Sequence, residues 1–324
     1  MRVIEAKPVE VLTLRPATPF HFDGTFHKPS HFPTTDVDHE PGRYWQTLRL
    51  PRRAVGLRLV DTGRANRPSI ECTIFSGRPL ADNDLSAAIA REIRWRFDLD
   101  ADLGEFTQRF RRDPVLGPII RRRRGMRVST PYSLYEYLVI TIMLQNATVR
   151  RSAQMLAVLF GRYGTRIRFD GRELSCFWTP PTLHAAPEAE LRALKVGYRA
   201  KSLKRVTEAF VGGAIDPLAI RAMDRERAGQ ALLQLYGIGP ASVGYLLFDV
   251  FHHYDAFDVI SPWEQRIYSR LLFDRELVGA RTVLAEVKRR WGRWRMLASH
   301  YVFEDLFWRR KRTSIPWLEA LIRL

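Results

Sequence analysis

Residues 232–270 read LLQLYGIGPASVGYLLFDVFHHYDAFDVISPWEQRIYSR. An apolar run, 231–235, stops at Tyr236-Gly237-Ile238-Gly239-Pro240, and a second, 242–251, starts at once. Two glycines around one apolar residue let the backbone turn sharply and approach a ligand closely. Pro240 suits the first turn of a helix, and Ile238 can tuck beneath the turn. The stretch predicts helix, hairpin, helix, with free N–H groups at the turn that suit a phosphate. An ordinary interhelical turn reads the same residues. A nucleotide loop does not fit, because no Gly-x-x-x-x-Gly-Lys-Ser/Thr occurs and no strand precedes the glycines. Further on, Ser261-Pro262-Trp263-Glu264 opens another helix with a carboxylate in its first turn. Ser261 and Glu264 are also spaced as a capping box.

The chain around this stretch has 324 residues, enough for one large or two medium domains. Lys and Arg total 52 against 35 Asp and Glu, a net charge of +17. That excess suits phosphate contact and salt-sensitive binding; the plain alternative, an arginine-rich genome composition, would inflate arginine but not by itself leave the acids so far behind. Cys72 and Cys176 lie far apart, have no metal-ligand spacing, cannot hold an iron–sulfur cluster, and suit a reducing cytosol. The start lacks a secretory apolar core. The longest apolar run, 137–144, is too short to span a membrane.

Residues 1–104 read as an antiparallel sheet domain with one helix. Short β-leaning runs at 9–14, 43–50, 54–60 and 69–75 alternate with turn residues, and 81–97 repeats apolar residues at helical spacing. Pro19-Phe20-His21-Phe22 reads either as core or as the wall of a pocket. Residues 105–324 read as all helical. The arginine-rich run 119–127 fits a phosphate-contacting loop or a solvated linker. Ser133-Leu134-Tyr135-Glu136 is a capping box opening a buried helix, 134–144, which ends at Gln145-Asn146. Helices over 148–163 and 202–210 follow. The basic, aromatic stretch 307–312 reads as a DNA-reaching end or a plain tail.

Three motifs resemble the helix–hairpin–helix DNA glycosylase superfamily: the Leu235-x-Gly237-Ile238-Gly239 hairpin, Gly197-Tyr198-Arg199-Ala200-Lys201, and Trp291-x-x-Trp294-Arg295-x-x-Ala298. The pattern is most similar to the alkylpurine and 8-oxoguanine enzymes. It covers about 131–306 well and the N-terminal third loosely. The resemblance implies an α+β architecture, with the N-terminal antiparallel sheet followed by an all-α glycosylase domain. It also implies an enzyme that turns a damaged base out of duplex DNA and breaks its glycosidic bond, with double-stranded DNA as partner, in the cytoplasm, as a monomer.

The same resemblance assigns roles. It places Glu264 at the catalytic carboxylate, although the family residue there is nearly always Asp; Asp258 is the second candidate, and a cap alone is the third reading. Gly237, Ile238, Gly239 and Pro240 would meet DNA, with Tyr198, Arg199 and Lys201. Asn146, with Gln145 beside it, would fill the gap left by the base, and Arg151 would face the orphaned partner. Ala241 stands where strand-nicking members carry a lysine, which implies a monofunctional hydrolase. Tyr245, Ser299 and Phe303 fall at base-pocket positions, and two aromatic faces suit a cationic alkylated purine. No cofactor is implied, except that the carbonyls of Leu233, Leu235 and Ile238 match a monovalent cation site. The rival readings are a glycosylase for oxidised or deaminated bases and a non-catalytic lesion binder.

Overall fold

The structure is a computed structural model and describes residues 2–31, 33–79 and 83–322. Strands β2 (Lys7–Leu14), β3 (Val37–Glu40), β4 (Arg43–Arg49), β5 (Ala54–Asp61) and β6 (Ile70–Ser76) form one antiparallel sheet in the order β2-β6-β5-β4-β3. Alternation decides its faces. Leu57, Leu59, Cys72 and Ile74 point inward against Ile89, Ile93 and Phe97, contributed by or just beyond helix α2 (Asn83–Arg96). The predicted start of that helix, Ala81, lies outside the described residues. Phe20, Phe22 and Phe26 join this core around a short helix, α1 (Phe22–Phe26), so the 19–22 stretch is core rather than pocket wall.

One element breaks the expectation of an all-helical second half. Strands β7 (Thr165–Phe169) and β8 (Arg172–Cys176) form a hairpin, and β7 pairs in parallel with β1 (Arg2–Glu5). Asp170 and Gly171, both at positive φ, make the two-residue turn. This small sheet packs its apolar face on the large one through Ile167, Phe169 and Cys176 against Trp45, Ala54 and Phe75. Gly56 makes that approach possible, because a Cβ there would sit 2.7 Å from the Phe169 ring.

The remaining helices are α3 (Gly104–Phe110), α4 (Leu116–Arg122), α5 (Leu134–Leu144), α6 (Val149–Tyr163), α7 (Pro180–His184), α8 (Glu188–Leu191), α9 (Arg199–Val211), α10 (Pro217–Arg221), α11 (Arg225–Leu233), α12 (Pro240–Asp249), α13 (Pro262–Phe273), α14 (Ala280–Trp291), α15 (Arg295–Arg310) and α16 (Pro316–Ile322). They make two large cores and a smaller cluster where α13, α15 and α16 meet around Ile267, Leu306 and Leu318. Of the large cores, one gathers α5, α6, α9, α11 and α12; the other gathers α3, α4, α13, α14 and α15. Helix α12 belongs to both, with Leu246 and Leu247 in the first and Phe248 in the second. The seam between the two cores therefore runs along α12.

The arginine run is part helix and part loop, and Arg121 and Arg124 in it stay exposed. Part of it is α4, Arg122 and Arg123 pair with buried Asp305, and Arg123 lies over the Trp308 ring. Arg127 is fully buried and donates to the carbonyls of Ala17 and Pro19. The 307–312 stretch is likewise not a tail: most of it continues α15, and Arg310 pairs with Glu319 of α16. Among the described residues, no helix is long and apolar enough to cross a membrane.

Candidate active site and nucleic-acid interface

Helix α11 ends at Leu233 and α12 begins at Pro240, with Gly239 as its N-cap. Gly237 has a φ of +78°, a left-handed turn that only glycine takes without strain. Ile238 is buried beneath the turn, and its N–H donates to the Leu235 carbonyl at 3.1 Å. Tyr236 stands exposed on the turn with the Lys201 ammonium 5.4 Å from its ring centroid.

The junction between α5 and α6 is tied to this hairpin. Gln145 Nε2 donates to the Gly237 carbonyl at 2.7 Å. Asn146, exposed and at φ +47°, donates to the Tyr198 hydroxyl at 3.2 Å. Arg199 is buried and donates to the Gln145 carbonyl. The exposed Arg151 reaches the Lys195 carbonyl. The structure thus brings Gln145, Asn146, Arg151, Tyr198, Arg199, Lys201 and the hairpin together on one surface. It also shows that Arg199 is held as a brace under the junction. Tyr236 is the added member of this surface; its place between the apolar run and Gly237 was the available signal.

Glu264 lies in the first turn of α13 and is buried. Its Oε2 accepts from the Ser261 N–H at 3.0 Å and from Ser261 Oγ at 2.6 Å, and the Ser261 hydroxyl caps the Glu264 N–H in return. Oε1 accepts from the Tyr245 hydroxyl at 2.8 Å. Burial, then the nearby Glu264 carboxylate, pushes the Tyr245 phenol well above its ordinary value, so it remains a proton donor in that bond. The carboxylate is oriented at both ends, and α12 and α13 meet at it.

Asp258, the second candidate carboxylate, lies on the loop before α13. It is half exposed, accepts from Arg295 at 2.9 Å and pairs with Arg225; Asp255 joins the same network. This arrangement straps the loop before α13 to α11 and α15. Ala241 is exposed in the first turn of α12. Ser299 and Phe303 lie one turn apart on α15. The Ser299 carbonyl accepts from Tyr268, while its Oγ is buried without a partner. Phe303 meets Trp263 edge-on at 5.1 Å and stacks on Phe307, and both Trp263 and Phe303 pack against the cluster of Ile267, Leu306 and Leu318.

Comparison with known proteins places this geometry. Residues 11–133 match the family profile of the AlkA N-terminal domain. A "Probable N-glycosylase/DNA lyase" of Methanothermobacter thermautotrophicus is 25% identical over 252 residues, which cover 72% of this chain and 79% of that one. The 3-methyladenine DNA glycosylase of Archaeoglobus fulgidus superposes with a TM-score of 0.73 over 90% of this chain and 97% of its own, at 19% identity. The 8-oxoguanine glycosylase/lyase of Clostridium acetobutylicum, in complex with double-stranded DNA containing cytosine opposite 8-oxoguanine, does so at 0.69 over 95% and 98%, at 18% identity. Residues 11–133 therefore carry an AlkA-type N-terminal domain, the chain shares the fold of these DNA glycosylases, and the proteins it resembles in sequence are glycosylases.

Proposed function

We propose that the protein is a monofunctional DNA glycosylase that removes alkylated purines from duplex DNA, with Glu264 as its catalytic carboxylate. The observation that carries this is the Glu264 carboxylate, oriented by Ser261 and by Tyr245 of the hairpin's second helix. Extrusion of the base costs a few kcal/mol, least for a damaged or mispaired base. Asn146 and Gln145 would fill the vacated gap, with Arg151 near the orphaned base, while the hairpin at Gly237–Pro240 and Lys201 grip the phosphates. A cation at the carbonyls of Leu233, Leu235 and Ile238 would add to that grip. The C1′–N bond then breaks with its electron pair passing to the purine. Glu264 faces the positive charge left on the sugar, and water adds at C1′ as its proton passes to the carboxylate.

Ala241 offers no amine for a covalent intermediate. Lys28, which reaches the same seam from the sheet domain, already donates to the carbonyls of Gly24 and Arg127 and to His300 Nε2. Hydrolysis therefore fits better than strand cleavage. Tyr245, Phe303 and Trp263 supply aromatic faces for a cationic base. The decisive experiment is base release from duplexes carrying single alkylated, oxidised or deaminated bases, with and without alkali. Alkali-dependent breaks at an alkylated purine support the reading; breaks without alkali overturn the monofunctional assignment, and release of an oxidised base alone overturns the substrate class. One observation favours a second reading: Glu264 is a complete capping box, which a lesion binder without catalysis would also retain.

A further inference from the structure

Asp249 follows Tyr245 by one turn on α12, and His300 and Glu304 lie beside Ser299 and Phe303 on α15. Asp249 is only 8% exposed, Glu304 1% and Ser299 3%. The Tyr137 hydroxyl of α5 donates to Asp249 Oδ2, and Ser30, from the loop after α1, donates to Glu304 Oε1. Lys28 of that loop lies near both acids. Its bond to His300 Nε2, 3.0 Å, makes that nitrogen the acceptor of a neutral imidazole. Asp249 also lies near the Tyr245 phenol that donates to Glu264, so this cluster adjoins the candidate catalytic carboxylate.

A purely structural lock would satisfy its buried oxygens. This one does not: Glu304 Oε2 is buried with no donor and the Ser299 hydroxyl with no partner of either kind, and such orphaned groups are costly. Glu304 Oε2 lacks a donor, and the two carboxyls share the Lys28 ammonium, with the Arg123 guanidinium adding its pull at Glu304 alone. We propose that Asp249 and Glu304 form the polar floor of the base pocket and select an N-alkylated purine through its N–H donors and its positive charge. The assignment rests on the glycosylase reading for its ligand. Unmodified guanine and adenine also carry N–H donors, so charge is what separates the alkylated base from the normal ones. Burial pushes the Asp249 carboxyl up to about 7 and the Glu304 carboxyl above its ordinary value, against the pull of Lys28, and proximity to Glu304 adds to the rise at Asp249. A cation entering the pocket relieves that repulsion.

The test is binding to a duplex carrying 7-methyl-2′-deoxyguanosine stabilised by a 2′-fluorine, which disfavours the C1′ cation and keeps the lesion intact. Controls are the same duplex with unmethylated 2′-fluoroguanosine and one with a tetrahydrofuran abasic analogue. The wild-type protein should prefer the cationic lesion over its unmethylated control by roughly tenfold or more. Asp249→Asn and Glu304→Gln should each lose most of that preference, with abasic-duplex binding unchanged. No preference in the wild type, preference kept in both variants, or equal loss on the abasic duplex would each overturn the assignment. Should Asp249→Asn fail to fold, Glu304→Gln decides alone. Incubation of the wild type with the cleavable 7-methylguanine duplex separates the two readings: preference without base release removes the glycosylase and leaves the pocket floor standing.

Discussion

Glu264→Gln separates a catalytic carboxylate from a helix cap. Glutamine is isosteric, and a capping box accepts it at the third helical position. Its carbonyl can keep the Ser261 N–H and hydroxyl bonds, and its amide can donate to the Tyr245 oxygen, so every present contact finds a substitute. The expected cost is that of weakening charge-assisted bonds to neutral ones, about 1 kcal/mol, or a fall of about 1–2 °C in Tm for a chain of this size. Loss of charge facing a developing sugar cation is a different matter. Removing one preorganised group of that kind costs about 3–4 kcal/mol, or roughly 10²–10³ in rate. Single-turnover release of an alkylated purine, developed with alkali, measures the second effect, and a thermal melt measures the first. A variant that melts as expected yet excises within about threefold of wild type would refute the catalytic role.

Other outcomes follow from particular positions. Gly237→Ala should cost about 1–2 kcal/mol in stability, from its φ of +78° and a Cβ 2.9 Å from Ser202 Oγ. Gly239→Ala, with open space at its Cβ, should leave the melt unchanged and lower DNA affinity alone. Lys201→Ala should weaken duplex binding and reduce the slope of log affinity against log salt by about 1, measured by anisotropy titration. Asp36, buried, has its carboxyl pushed up to about 7 from 3.8 by desolvation. Between those values the folded state holds a proton that the unfolded chain has released, so stability falls as pH rises from about 4 to 7, by up to roughly 4 kcal/mol. Asp36→Asn should flatten that part of the stability profile, read from denaturant unfolding at pH 5 and pH 8; an unchanged difference would contradict it.

The elements that define the seam were legible because their signals are local. The Ser133–Glu136 and Ser261–Glu264 boxes start α5 and α13, and Gly-Pro starts α12, each by contacts within a few residues. What escaped is non-local. Asp170-Gly171 is a strong hairpin signal, yet the alternating arginines around it do face solvent, and the apolar residues between them are covered only by the distant Trp45 face of the large sheet. The arginines near 122 read as free cations because their acid, Asp305, sits on a distant helix. The inner pocket left a fainter trace: Asp249 and Glu304 are acids inside apolar runs, and only the approach of the Lys28 loop shows what faces them.

The pairing of β1 with β7 bears on how the molecule is made. Arg2–Glu5 finds its partner about 160 residues later, at Thr165–Arg168. At ordinary translation speeds of about 5–20 residues per second, β1 emerges roughly 8–30 s before the strand that receives it. The five-stranded sheet can close in the meantime, because all its strands lie within residues 7–76, but β1 waits as an unpaired edge. Cutting the chain between sheet domain and helical domain would therefore strand β1 on one fragment and its hydrogen-bonding partner on the other. Expressed separately, the halves should recover only when mixed, and the nascent chain should stay protease-sensitive at its first residues until the β7–β8 hairpin has appeared.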